Sequence, residues 1–262
     1  MLFSCNNKNN SIDDITLDDS NIIEYEHIEY RNEDINYLKN PDRNDTMCFN
    51  AVEKAKSDLK TYEGVFTHSK CYECPNQAFL NEIKKIISKR KFKLHINEEI
   101  CVTYQNQTEG CYTSYVKYLM EQKFGKNYYQ EIVDQAEHNF FKNNSVADFY
   151  DLNYKDSPKF INQNISLLND GVMPIIHTNL NLDFEPNKVM YITLKFIIEK
   201  DGAISNIELD DWINQYPNNE KYKLKLFDIA KEELIEKYNK WTPGKISGQN
   251  VRTMNYLRAY FK

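Results

Sequence analysis

The eleven residues Trp241, Thr242, Pro243, Gly244, Lys245, Ile246, Ser247, Gly248, Gln249, Asn250 and Val251 constrain the fold more than any other stretch of the chain. They hold one of only two tryptophans, one of seven prolines and two of seven glycines. Pro243 forbids continuation of the amphipathic run that ends at Tyr238, and Gly244 and Gly248 permit positive φ. An alternating run over residues 251–261 follows. The stretch therefore predicts a sharp corner that turns a helix into a strand.

The residues before the corner supply its partners. Residues 189–198 are strongly β-prone, Lys200, Asp201 and Gly202 give a tight turn, and residues 204–209 return as a second strand. A charged helix is expected over 219–238, with Leu226, Ala230, Leu234 and Tyr238 stacked on one side. Two strands, a helix and a closing strand predict a small antiparallel sheet covered on one face by a helix.

Upstream, Cys48, Val52, Ala55, Leu59 and Tyr62 recur at helical steps and predict a helix over 47–62. A second helix starts at Pro75, with Phe79, Leu80, Ile83, Ile86 and Ile87 on one face. Its basic end, Lys89, Arg90 and Lys91, suits the negative end of the helix dipole. Residues 92–96 and 100–104 alternate like the arms of a hairpin. Helices are expected around 112–120, ending at Gly125, and around 129–140. The fold class is α+β. Residues 1–5 read as the remnant of a lipoprotein signal ending at Cys5, 6–45 as a polar tether, 46–142 as a helix-rich N-terminal α+β domain, 143–184 as a connector and 185–262 as the last domain.

The order of pieces in the last domain resembles the C-terminal domain of TonB proteins, especially the version common in Bacteroidetes. That pattern is a strand, a D-G turn, a second strand, a helix, the corner W-x-P-G-x-x-x-G-x-x-V and a closing strand. Asp201 and Gly202 match the turn, and Trp241, Pro243, Gly244, Gly248 and Val251 match the corner, over about residues 189–262. The chain departs from the pattern at Asn187 and Lys188, where relatives carry a glycine, and in a polar insert at 210–220. The resemblance implies an interaction module that captures an extended segment of another envelope protein, such as an outer-membrane receptor, by adding it as a strand to a sheet edge. On the closing strand, Arg252, Tyr256, Arg258 and Tyr260 share one face and are the candidate partner-binding residues. No transmembrane run or proline-rich spanning segment of the energy-transducing relatives is present in these 262 residues, so the resemblance implies the fold and the binding mode rather than energy transduction.

Leu2, Phe3, Ser4 and Cys5 fit a lipobox, which makes Cys5 the candidate lipid-attachment residue and the membrane a partner through that anchor. The expected location is the cell envelope, facing the periplasm. In that oxidising setting Cys71, Cys74, Cys101 and Cys111 predict two disulfides, with three pairings open, while Cys48 reads as a small buried hydrophobe. Two other chemistries fit the same residues. Cys71 and Cys74 form a C-x-x-C pair at a helix start, where a thiol pKa is lowered, and His68, Cys71 and Cys74 suit zinc given a fourth ligand from His95, Cys101 or Cys111.

A net charge of −6 argues against a general nucleic-acid binder. No nucleophile elbow, P-loop or dinucleotide fingerprint occurs. The expectation is a non-enzymatic protein without cofactor, metal or identified small-molecule substrate, linked to TonB-type transport. The alternative is a periplasmic thiol–disulfide protein using Cys71 and Cys74.

Overall fold

A computed structural model describes residues 34–70, 76–98, 106–161, 174–185 and 187–262. The fold is α+β. It divides into two compact units, the first within Met1–Cys71 and Lys84–Ile132 and the second within Tyr72–Ile83 and Val133–Lys262. Among the described residues no helix is long and apolar enough to cross a membrane.

The first unit contains α1 (Ile35–Lys39), α2 (Thr46–Thr61), β1 (Gly64–Lys70), α3 (Leu80–Lys89) from Lys84 onward, β2 (Phe92–Glu98), α4 (Cys111–Phe124) and the first turn of α5 (Tyr128–Lys142). The periodicity expected for α2 is realised, since Cys48, Val52 and Ala55 are buried. Helix α4 packs beside it through Cys111, Tyr112, Tyr115, Val116 and Met120. Gly125 takes φ +95° after α4, as a helix-ending glycine should.

Strand β2 does not use the partner expected for residues 92–96. It pairs in parallel with β1, from Gly64 against Phe92 to Lys70 against Glu98. A parallel pair needs a long crossover, and α3 lies in that connection. Residues 64–68 are all buried, so the polar Thr67 and His68 hide a core strand from an alternation test. The expected second arm, 100–104, lies outside the described residues.

The cysteine pairing also differs from expectation. Cys111 is bonded to Cys48, across 63 residues of sequence. The two residues open α2 and α4, and their Cα atoms stand 5.2 Å apart. Cys48 is buried as expected, yet as half of a disulfide rather than as a lone hydrophobe. Cys111 is therefore not the partner of Cys71, Cys74 or Cys101, all of which lie outside the described residues, as does Cys5.

Asp45 seals the same corner. Its Oδ1 accepts N–H bonds from Cys48 at 3.2 Å and Thr108 at 3.0 Å, and its Oδ2 accepts the Tyr37 hydroxyl at 2.6 Å. One N-capping carboxylate thus joins α1, α2 and the turn before α4. Burial opposes its charge, but the bonds from Thr108, Tyr37 and Cys48 outweigh that and hold the carboxyl below its ordinary range.

Among its described residues the second unit is built on a six-stranded sheet and a separate two-stranded pair. Its strands are β3 (Val146–Asp148), β4 (Lys159–Phe160), β5 (Ile175–Ile176), β6 (Met190–Ile198), β7 (Ile204–Asn214), β8 (Trp241–Thr242), β9 (Gly244–Ile246) and β10 (Gln249–Phe261). Helix α6 (Lys223–Lys237) follows a 3-10 turn at Pro217–Tyr222. The main order is β3-β10-β6-β7, with β5 and β9 also on β10. Ile192, Leu194, Phe196 and Ile198 of β6 and Leu257, Ala259 and Phe261 of β10 share a core with Leu226, Ala230 and Leu234 of α6.

Two expectations are refined here. Strand β7, expected over 204–209, runs on to Asn214, into the polar insert, and breaks its register with β6 at two places. Residues 143–184, expected as a connector, supply β3, β4 and β5. Residues 180–182 form no strand, although Leu180 and Leu182 pack on the core.

Candidate partner-binding face

The corner and the hairpin turn, far apart in sequence, meet in space. Gly202 ends the turn at φ +85°, and a Cβ built on it would stand 2.1 Å from the Trp241 carbonyl oxygen. Only glycine allows both the backbone angle and the contact. The Asp201 carboxylate accepts the Ala203 N–H at 3.0 Å, closing the turn. Trp241 donates its indole N–H to the Tyr238 carbonyl at 2.7 Å and lies between Phe160 and Phe196, with ring centroids 5.3 and 5.7 Å away. The end of α6, the corner and the first hairpin are thereby locked together.

The two corner glycines act differently from each other. Gly248 has φ +77° and follows Ser247 at φ +50°, so the pair forms the primed turn that joins β9 to β10. Gly244, which permits a positive φ, does not adopt one. Its role is contact: a Cβ there would stand 2.3 Å from Thr253 Oγ1 and 2.8 Å from Leu152 Cδ1. Val251 is buried opposite Gly244. Segment 152–161 wraps the same corner, with β4 paired to β8 and the Lys245 N–H bonded to the Asp156 carbonyl at 2.8 Å.

With α6 on one side of the sheet, the other side carries Arg252, Met254, Tyr256, Arg258 and Tyr260 of β10 opposite Ile197, Lys195, Thr193 and Tyr191 of β6. The four candidate residues do share this face, in three distinct situations. Arg252 donates to both carboxylate oxygens of Glu199, at 2.8 and 3.0 Å, and Ser205 also donates to that carboxylate. The Arg252 guanidinium, helped by Ser205, holds the Glu199 carboxyl below its ordinary range. Arg252 is thus engaged in an ion pair that ties two strands. Tyr256 donates to Asp148 Oδ2 at 3.0 Å and lies beside the exposed Tyr150 ring, 5.9 Å away. Burial and the Asp148 carboxylate push its phenol pKa up.

Arg258 is the exposed cation of the set. Its guanidinium lies over the Tyr191 ring at 4.5 Å, and Tyr191 contacts Tyr260 at 5.4 Å. Among the described residues no carboxylate ion-pairs with it. The Tyr260 hydroxyl engages it as well, and an exposed cation held on an aromatic platform without a carboxylate partner is suited to a carboxylate-bearing partner.

The edge of β10 is less open than the sequence implies. Strand β3 pairs in parallel with Arg252, Thr253 and Met254, and β5 with Tyr260 and Phe261. Between these clips the Tyr256 N–H is bonded to the side chain of Asn255 at 2.8 Å. Neither clip was legible in sequence, because a two- or three-residue strand leaves no period.

Of the residues named for metal or thiol chemistry, Cys71, Cys74 and Cys101 lie outside the described residues. His68 is buried in β1, and His95 of β2 lies over Tyr112 at 3.9 Å. Among the described residues no group of three metal-type ligands is present. No family model matches the chain, and no curated protein or solved structure matches it.

Proposed function

We propose that the protein is a non-enzymatic, periplasm-facing cell-envelope lipoprotein whose second unit, a TonB C-terminal-like domain, is a protein-interaction module linked to TonB-type transport. The observation that carries this reading is the direct contact of Gly202 with Trp241, which makes one structural device of the two motif pieces. The Cys48–Cys111 disulfide supports an oxidising compartment. The partner is recognised by the open face around Arg258, Tyr256 and Tyr260, since β3 and β5 take most of the edge a partner strand would join.

The test is cross-linking in intact envelopes with a photoreactive group at the exposed Tyr150, beside Tyr256 on this face, together with mass measurement of Cys5. A single envelope protein captured by wild type and lost in Arg258→Ala, with acylation lost in Cys5→Ser, is the expected outcome. Arg258→Ala should leave stability within about 0.5 kcal/mol, whereas Arg252→Ala, which frees Glu199, should cost about 1 kcal/mol. Unlipidated Cys5 and no captured protein would sink the reading.

A further inference from the structure

At one end of the second unit's sheet, where β5, the start of β6 and the end of β10 meet, lies an apolar groove of about 380 Å³. That volume falls within the ordinary range of small-molecule sites. Ile175, Phe184 and Val189 line it while 53%, 63% and 44% exposed, and the buried Met190 and Phe261 line it beneath. Large apolar side chains converging from separate segments onto one spot mark a binding surface, unlike scattered exposed residues.

The charged side chains that line the groove are both lysines, Lys188 and Lys262, beside the phenols of Tyr216 and Tyr260. Lys188 bonds Glu185 at 2.7 Å in an exposed pair, which a competing anion can open at little cost. Among the described residues no acid pairs with Lys262. Several backbone groups nearby are already bonded. The N–H groups of Tyr260 and Lys262 go to the Pro174 and Ile176 carbonyls, and the Val189 N–H goes to the Gln215 side chain. The Tyr216 hydroxyl accepts the Glu185 N–H and contacts the carbonyls of Glu185 and Lys188. Recognition there falls to apolar contact and two ammonium groups, which disfavours an extended peptide.

We propose that this groove binds one amphipathic anion, an aliphatic chain ended by a carboxylate, with the chain against Phe184 and Val189 and the carboxylate at Lys188 and Lys262. The site adjoins the face around Arg258 at Tyr260, which lines both, and does not depend on the family reading.

The experiment is calorimetric titration of the full chain with sodium dodecanoate below its micelle concentration, with dodecyltrimethylammonium as the charge-reversed comparator. One saturable site for the anion is expected. Phe184→Ala should weaken it about tenfold. Lys188→Gln with Lys262→Gln should weaken it about fivefold and erase the preference over the cation. All three positions are at the surface or rim, and circular dichroism of each variant verifies the fold. Absent saturation, equal binding of anion and cation, or an unchanged affinity in Phe184→Ala would overturn the proposal. So would a concentration-dependent dimer, dispersed by Phe184→Asp, in which dodecanoate finds no site: the occupant would then be a second copy.

Discussion

The two units solve the same problem with different means. Among its described residues the first has a two-stranded parallel pair and a few helices, and its first helical turns are fastened by a disulfide and a buried carboxylate. The second is organised on one 13-residue strand, β10, which pairs with β3, β5, β6 and β9. A chain that concentrates its pairing on one long strand distributes stability over many backbone bonds. A chain without such a strand relies on a few long-range ties, so single changes there should be felt more sharply.

The largest test of that contrast is removal of the covalent tie. Cys48→Ala with Cys111→Ala should cost about 4 kcal/mol, the loop-closure value for a bridge of this span. The measurement is urea unfolding followed by amide exchange in α2 and α4, where protection should fall. Unchanged protection would mean that the disulfide merely decorates a junction held by Asp45.

The next test compares two glycines of the second unit. Gly202→Ala meets both a left-handed backbone and the Trp241 carbonyl, and should cost about 3 kcal/mol. Gly248→Ala has the same backbone demand with nothing within 4 Å of the added methyl, so about 1 kcal/mol is expected. Both tryptophans, Trp212 and Trp241, belong to this unit, so their fluorescence reads the two transitions directly. Equal costs would show that the contact with Trp241 contributes nothing beyond φ.

The smallest test concerns pH. Asp45 has a folded pKa below its unfolded value of about 4. Its contribution is therefore complete above the unfolded value and is lost as pH falls through the folded one. Asp45→Ala should cost about 2 kcal/mol at neutral pH, and the difference from wild type should shrink on acidification below about pH 4. A difference that stays constant down to low pH would assign the effect to packing rather than to the carboxylate.

Legibility in the sequence followed the length of each signal. Helices α2, α4 and α5 and strands β6 and β10 carry their periods over nine residues or more, and each lies where its pattern predicts. Strand β1 escaped because Thr67 and His68 are buried polar residues. Strands β3 and β5 escaped because three and two residues hold no period at all. The candidate face was legible as a set: Tyr256, Arg258 and Tyr260 do line it, by strand alternation alone. The commitment of Arg252 to Glu199 was not, since 53 residues separate them.

The sequence by itself determined the α+β class, the hairpin at Asp201 and Gly202, and the corner at Pro243 and Gly248, because each follows from local backbone limits and side-chain period. Tertiary structure alone decided that Cys111 joins Cys48, that the turn abuts the corner at Gly202 and Trp241, and that β3 and β5 occupy the edge of β10. Those are meetings of residues distant in the chain, and no local preference encodes them. Trp241 belongs to both accounts: its neighbours in sequence predict the corner, and its neighbours in space, Gly202, Phe160 and Phe196, explain what the corner holds together.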